Sequence, residues 1–545
     1  MSEFINTIDI IGDEKLTNSI IDRSISEYYD NELTYIGMYA FAHCKSLTTV
    51  NMPVCTTIDN YAFTSCKSLT EANFPECSYI GGSAFSSCTS LISIDVPKCS
   101  RIGTEAFYAC SSLIEANIPA CTSIDFRLFY ACKSLRTVNS PSCTYIWRSA
   151  FYNCNSLTEA SFPLCSVIGS NAFQHCSSLT EVDFPLCSVI ESSTFYGCGS
   201  LTTANFSTCT LIRNDAFANC SSLINISFPV CISIYGSAFS GCTSLTEVDF
   251  PACLNIGNVF RSCNFLTTAN FPVCKSIGVS AFYNLPKLSN ISFPVCEYIG
   301  SYAFASCTSL TQSNFPACSM ISLGAFTKCK SLTTANFPVC TSIGAGAFAY
   351  CSSLTTANFP ECTYINSSAF ISCISLISAN FPVCSIISGT PTSGAFAYCK
   401  SLTTVNMPVC TTIGSGTFYN CTSLTEVDFP VCITISQSAF GYCSSLATVN
   451  FPVCKSIGVS AFDACSSLTT VSFPQCDYIE NFAFQNCYSL EIFTFGVKAT
   501  SVASNAFNRC SSLSIINCPW AEGEVANAPW GATSATINYN YVPTE

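Results

Sequence analysis

The cysteines of this chain keep a count. Cys44, Cys55, Cys66, Cys77, Cys88 and Cys99 stand eleven residues apart, and the beat runs unbroken to Cys253. They alternate between two kinds of neighbourhood, so the true period is 22, as in CKSLTTVNMPVCTTIDNYAFTS. A unit this short cannot bury its own apolar residues, but stacked units can. The 545 residues therefore read as one array rather than as several globular domains. An Ala-Phe pair, or a close variant, recurs 22 times, from Ala40-Phe41 to Ala506-Phe507. Three slips break the count. One residue is missing before Phe260, four are added in SIISGTPTSGAF, and one is added near Lys498, where a cysteine is also absent. The four-residue addition is expected to bulge as a loop around Pro391.

Within a unit, Leu47, Val50, Met52 and Cys55 fall at i, i+3, i+5 and i+8. This spacing frames a short parallel strand, and Ile58, Ala62 and Phe63 supply the opposite wall. Pro53 follows the strand, where a missing ladder N–H does least harm. Gly81, Gly103 and Gly169 mark a turn before Ala-Phe.

The repeated motif SLTxxNFPxCxxIGxxAFxxC, as in SLTTANFPVCTSIGAGAFAYC, resembles the BspA-like leucine-rich repeats, the Treponema-type surface-antigen class, over roughly Ile36 to Cys518. The resemblance implies a right-handed leucine-rich-repeat solenoid of about 22 coils of 22 residues. A parallel β-sheet would form one face, with short turns, 3-10 segments or strand segments on the other. Members are typically surface adhesins or interaction proteins of mucosal microbes, and similar arrays occur in prophage-type structural proteins. Two features depart from the family pattern: the unit is one residue short, and cysteine fills a post-strand position that is often aliphatic. Residues 1–32 are expected to form an N-terminal cap, 33–517 the solenoid, and 518–545 a C-terminal cap carrying Trp520 and Trp530.

Charged residues make up 10% of the chain, against about 25% in typical soluble domains, so Ser, Thr and Asn must supply the polar surface. A net charge of −13 argues against nucleic acid and anionic membrane surfaces. No run of about 18 apolar residues is present to span a bilayer. The first residues lack the basic and uninterrupted apolar regions of a secretory signal.

Forty-two cysteines raise the question of thiol chemistry. No CxxC spacing of the zinc type occurs. The two cysteine columns lie at opposite ends of a strand, roughly 20 Å apart. Neighbours within a column lie about 4.8 Å apart with parallel Cβ atoms, whereas a disulfide wants about 3.5–4.5 Å between Cβ atoms. Buried free thiols acting as small apolar residues are the expected state, with some disulfides or a metal as lesser alternatives. The Cys55 column is expected to bond backbone of the next coil. Leu285 occupies a cysteine position, which a purely apolar column tolerates; Leu33 and Lys498 read the same way at the array ends.

Catalytic material is sparse. His43 and His175 share a column six coils apart, about 29 Å, and read as exposed spacers. On the strand face, positions 49 and 51 should point outward as a polar strip. It carries the acid pairs Glu181 with Asp183, Glu247 with Asp249, and Glu426 with Asp428. Within each pair the carboxylates lie about 7 Å apart. A solvated face is the expected role. A calcium site would need six or more oxygens, and a glycosidase would need a cleft.

The position after Ala-Phe holds Tyr108, Tyr130, Tyr152, Gln174 and Tyr196 in consecutive coils, with Arg127, Trp147 and Arg148 nearby. These residues form either a packing ridge or a contact site for a protein or glycan on a cell surface, since aromatic and arginine side chains are favoured anchors. The expected function is non-enzymatic binding or adhesion, with no cofactor, no metal, no nucleic acid and no membrane insertion. A monomer is expected, at an extracellular, cell-surface or virion location. A structural spacer or virion- or tail-associated display protein is the alternative.

Overall fold

Each coil places a strand where the outward–inward–outward pattern demands one. In Thr49–Asn51 the central Val50 is fully buried while Thr49 and Asn51 remain partly exposed. This strand pairs in parallel with the next coil, Thr49 opposite Glu71, Val50 opposite Ala72 and Asn51 opposite Asn73. A second, two-residue strand, Thr57–Ile58, pairs with Tyr79–Ile80 on the far wall. The computed structural model describes Lys15, Leu16 and residues 23–542, and among the described residues there is no helix. The chain forms two units, 1–266 and 267–545. Each is a parallel β-solenoid with a leucine-rich-repeat pattern.

The connection from the second strand back to the first is also hydrogen-bonded from coil to coil. Tyr61, Phe63 and Ser65 donate their N–H groups to the carbonyls of Gly82, Ala84 and Ser86 at 3.0, 2.7 and 2.7 Å. Tyr61 and Ser65 do so from left-handed backbone, with φ of 59° and 61°. The turn thereby leaves few backbone groups unpaired, which a buried wall requires.

The core consists of columns. In the first unit Phe63 stacks on Phe85 at 5.0 Å and 11°, and Phe74 from the post-strand column tilts between them. In the second unit Phe304 stacks on Phe326 at 5.2 Å and 8°, with Phe315 edge-on. The inward residues Leu47, Val50, Met52, Cys55, Ile58, Ala62 and Phe63 are all inaccessible to solvent.

The slips are absorbed locally. Across the four-residue addition, Ser378 pairs with Thr404, so the ladder steps over a loop containing Pro391. Near the last slip the structure corrects the sequence alignment. Ser501–Val502 pairs with Tyr478–Ile479, which puts Ala499, not Lys498, in the cysteine slot. Ala499 is buried, while Lys498 is exposed and pairs with Glu524 at 2.6 Å. Leu33 and Leu285 are buried core residues.

The strand register also enters both segments expected to be caps. Lys15–Leu16 pairs with Tyr35–Ile36, Glu27–Tyr29 pairs with Thr49–Asn51, and Thr536–Asn538 pairs with Ile515–Asn517. The rest of the 1–22 portion of the N-terminal cap lies outside the described residues. At the other end Trp520 and Trp530 are buried against Phe495, with centroids at 5.1 and 5.6 Å. The Trp530 indole N–H donates to the carbonyl of Ala526 at 3.2 Å.

Candidate functional site

The thiols belong to the core. All 42 cysteines are buried and none is in a disulfide. The two columns make different hydrogen bonds. Cys66 donates its S–H to the carbonyl of Phe41 in the preceding coil at 3.0 Å, and Cys88 does the same to Phe63 at 3.1 Å. Cys55 instead donates to Thr57, two residues on in its own coil, at 3.4 Å. The regular coil-to-coil bond thus lies in the other column and points toward the previous coil, while in the Cys55 column Cys476 also reaches the Lys455 carbonyl of the coil before it, at 3.8 Å. The Cys55 side chain sits beside the start of its own second strand, so the carbonyl in reach is local. Burial pushes the Cys187 thiol up to about 11 and the Cys198 thiol up to about 12. Thiolates are suppressed at such positions, the opposite of what a nucleophilic cysteine needs; Cys99 and Cys143 shift the other way, held down first by hydrogen bonds with the neighbouring thiols of Cys77 and Cys165.

The tyrosine row forms in the first unit. Tyr108 stacks on Tyr130 at 5.0 Å and 7°, and Tyr130 on Tyr152 at 4.7 Å and 3°. The three rings are half-buried and stack face to face on one another. Tyr196 joins through a residue that the sequence analysis set aside. His175 lies edge-on between Tyr152 and Tyr196, at 5.7 and 5.4 Å, so it is part of the row and not an exposed spacer. Gly197 makes room for it: a Cβ there would lie 2.7 Å from the His175 Nδ1. Gln174, in the tyrosine column, accepts from the Asn171 amide through its Oε1, and its Nε2 lies 3.4 Å from the His175 Nε2. His43, by contrast, is exposed.

Arg127 is held in the row. Its guanidinium lies 5.3 Å from the Tyr130 ring centroid and 4.9 Å from that of Phe126, and it pairs with Glu105 at 3.2 Å. Its Nε is buried without a hydrogen-bond partner. Trp147 stands apart, at the corner after the second strand, against Tyr145 at 4.7 Å; it is 45% exposed. Arg148 is exposed beside it, tied to the row through its carbonyl, which accepts the Arg127 N–H.

The strand face is polar, and its amides are organised. Asn73 donates its Nδ2 to Asn51 Oδ1 at 2.7 Å, Asn117 to Asp95 at 2.7 Å, and Asn205 to Asp183 at 2.7 Å. The sequence shows Asn and Asp at this position, but only the in-register pairing turns them into a ladder. Glu181, Asp183, Glu247 and Asp249 flank a shallow depression of about 710 Å³ with Thr203 and Asn225 between them. Among the described residues no group of His, Cys, Asp and Glu converges to hold a metal ion.

A second aromatic group lies in the other unit. Tyr398 meets Tyr419 at 5.6 Å and 68°, and Tyr419 meets Tyr442 at 5.3 Å and 59°. A column-by-column reading missed it, because these tyrosines alternate between adjacent positions in successive coils.

The walls and columns define a repeat solenoid with a solid core and a surface that varies from coil to coil. A family model described as the BspA type leucine-rich repeat region matches six times, over residues 9–136, 100–222, 144–267, 188–296, 275–390 and 390–514. The chain belongs to the BspA-type leucine-rich-repeat family. No curated protein matches it. Among solved structures, a leucine-rich repeat protein from Bacteroides ovatus is 22% identical, over 78% of this chain and 92% of its own, with a TM-score of 0.44. A leucine rich cell surface protein from Faecalibacterium prausnitzii is 23% identical over 70% and 88%, with a TM-score of 0.31. The T. pallidum leucine-rich repeat protein is 24% identical over 32% and 78%, with a TM-score of 0.24.

Proposed function

We propose that this chain is a non-enzymatic binding protein that recognises a protein or glycan on a cell surface through its solenoid wall. Its contacts would be made by Tyr108, Tyr130, Tyr152 and Tyr196 with Arg127, Trp147 and Arg148. The observation that carries this reading is the row itself: half-buried aromatic rings and an arginine from successive coils aligned on one wall. Tyrosine offers apolar area and a polar handle at low entropy cost. Because the faces of the three rings lie against one another, sugar rings cannot lie flat on the inner ones. A protein surface contacting edges and hydroxyls fits this geometry better than a glycan.

The same stacking favours a second reading, in which the row is packing and the chain is a spacer or display protein. The triple change of Tyr108, Tyr130 and Tyr152 to Ser separates the two. The binding reading expects unchanged circular dichroism and loss of binding to host cells and glycan arrays. Undiminished binding would leave the row as packing.

A further inference from the structure

The charge around the tyrosine row of the first unit runs against that of the chain. The three coils that carry Tyr108, Tyr130 and Tyr152, residues 93–158, hold six cations: Lys98, Arg101, Arg127, Lys133, Arg136 and Arg148. They hold four acids, while the chain as a whole carries −13. Two of those acids, Asp95 and Glu115, belong to the strand face. Asp125 is turned into its own coil, where its Oδ1 accepts from the Phe126 N–H at 2.6 Å. Glu105 pairs with Arg127, and Lys98 pairs with Glu76 of the coil before. Arg101, Lys133, Arg136 and Arg148 form no ion pair among the described residues.

Arg127 is held in place before any partner arrives. Its guanidinium lies 4.9 Å from the Phe126 ring centroid and 5.3 Å from that of Tyr130, with Glu105 on its Nη1 at 3.2 Å. Two rings and a carboxylate order this long side chain, so a ligand does not have to. The side chain remains 42% exposed. In the following coil the same position holds Ser149, so no second acid of this chain reaches it from that side. Lys133 follows Tyr130 by three residues and is exposed, between Ser111 and Asn155 at the same position of the adjoining coils. Arg148 is exposed four residues before Tyr152, between Phe126 and Ser170.

A cationic patch on an acidic protein steers carboxylates toward it, and a planar guanidinium fork matches a carboxylate in shape. A sulfated glycan would meet the charges but brings no apolar groups to the half-buried tyrosine rings. An acidic peptide with interleaved apolar residues brings both. We propose that the row, with Arg127, Lys133 and Arg148, binds an acidic segment of a partner protein in which carboxylates and apolar side chains are interleaved. This rests on the reading of the row as a contact surface and adds the chemistry of what it contacts. The footprint stops short of Tyr196, because its coil, 181–202, carries no lysine or arginine.

The test uses the full chain and fluorescence anisotropy of a dye-labelled peptide of repeated Glu-Glu-Phe. A Gln-Gln-Phe peptide and a labelled heparin fragment serve as comparisons. The glutamate peptide should bind and the glutamine peptide should not. Raising salt from about 50 mM to about 300 mM should weaken binding by about tenfold. Lys133→Gln combined with Arg148→Gln should weaken it by about tenfold with circular dichroism unchanged, since both side chains are exposed and lack ion pairs. Arg127→Lys keeps the charge and loses the fork, and should also weaken the peptide. No binding of the glutamate peptide, equal binding of the two peptides, unchanged affinity in the double variant, or tighter binding of the heparin fragment would overturn the proposal. Cell binding separates its failure from that of the wider reading. Binding lost when Tyr108, Tyr130 and Tyr152 become Ser, but fully kept in the Lys133→Gln, Arg148→Gln variant, removes the acidic partner and leaves the row as a contact surface. Binding kept in both variants removes the row as well.

Discussion

A cysteine in this protein is a small apolar residue with one directed hydrogen bond. The Cys66 column ties each coil to the phenylalanine carbonyl of the one before, and the Cys55 column closes its own turn. That explains how Leu285 can replace one member and remain buried: a single weak S–H bond is lost and the site stays apolar. The thiol pKa values carry a consequence for pH. Below about pH 8.5 both folded and unfolded thiols are protonated and this part of the stability is intact. As pH rises, the unfolded chain ionises first, while thiols such as Cys187 and Cys198 stay neutral up to about 11 and about 12. Each such thiol then costs the fold about 1.4 kcal/mol per pH unit. Urea midpoints should therefore fall steeply between pH 9 and 11, and a flat profile would mean the thiols are not buried as described. At pH 7.5 a thiol reagent should label few cysteines before denaturation and nearly all after it. Rapid native labelling, or many disulfides by mass spectrometry, would contradict the buried columns.

At the scale of the element, the strands were legible and their neighbours were not. Leu47, Val50 and Met52 announce the strand face by spacing alone, and the slip at Pro391 announces a loop. The second strand is only two residues long and carries one inward residue, Ile58, so periodicity has little to grip. The extra strands Glu27–Tyr29 and Thr536–Asn538 lack the flanking cysteines that mark the repeat, and the backbone register alone extends the ladder to them. Lys498 was misplaced because a one-residue insertion shifts every later position, and only pairing shows which residue fills the slot. Of the candidate site, the tyrosine column was legible because it repeats in step. His175 and the Tyr398–Tyr419–Tyr442 group were not, because ring packing crosses between columns. The phenylalanine column supports a direct stability prediction. Phe173 is fully buried and stacks on Phe151 at 4.9 Å and Phe195 at 5.4 Å. Phe173→Ala should cost about 3–5 kcal/mol of local stability, read as a lowered urea midpoint or as faster hydrogen exchange in the adjoining coils. A change within about 0.5 kcal/mol would contradict the packing of this column.

At the scale of the whole molecule, a repetitive interior is set apart from a surface that varies from coil to coil. The interior is repetitive, so its sequence fixes the fold and reveals nothing about a partner. The surface carries the variation: a polar strand face with an amide ladder, a stacked tyrosine row, and an angled tyrosine group. Function in such an array belongs where a wall departs from the repeat. The row of Tyr108, Tyr130 and Tyr152 is such a departure, since the same position holds Ala218, Ser240 and Ala305 further along. The most direct measurement compares cell binding by the wild type with two variants. One carries Tyr108, Tyr130 and Tyr152 as Ser, and the other carries Glu181→Gln with Asp183→Asn on the strand face. Binding that is lost in the first variant and retained in the second is the predicted result. Binding retained in the first and lost in the second would contradict the account and move recognition to the strand face.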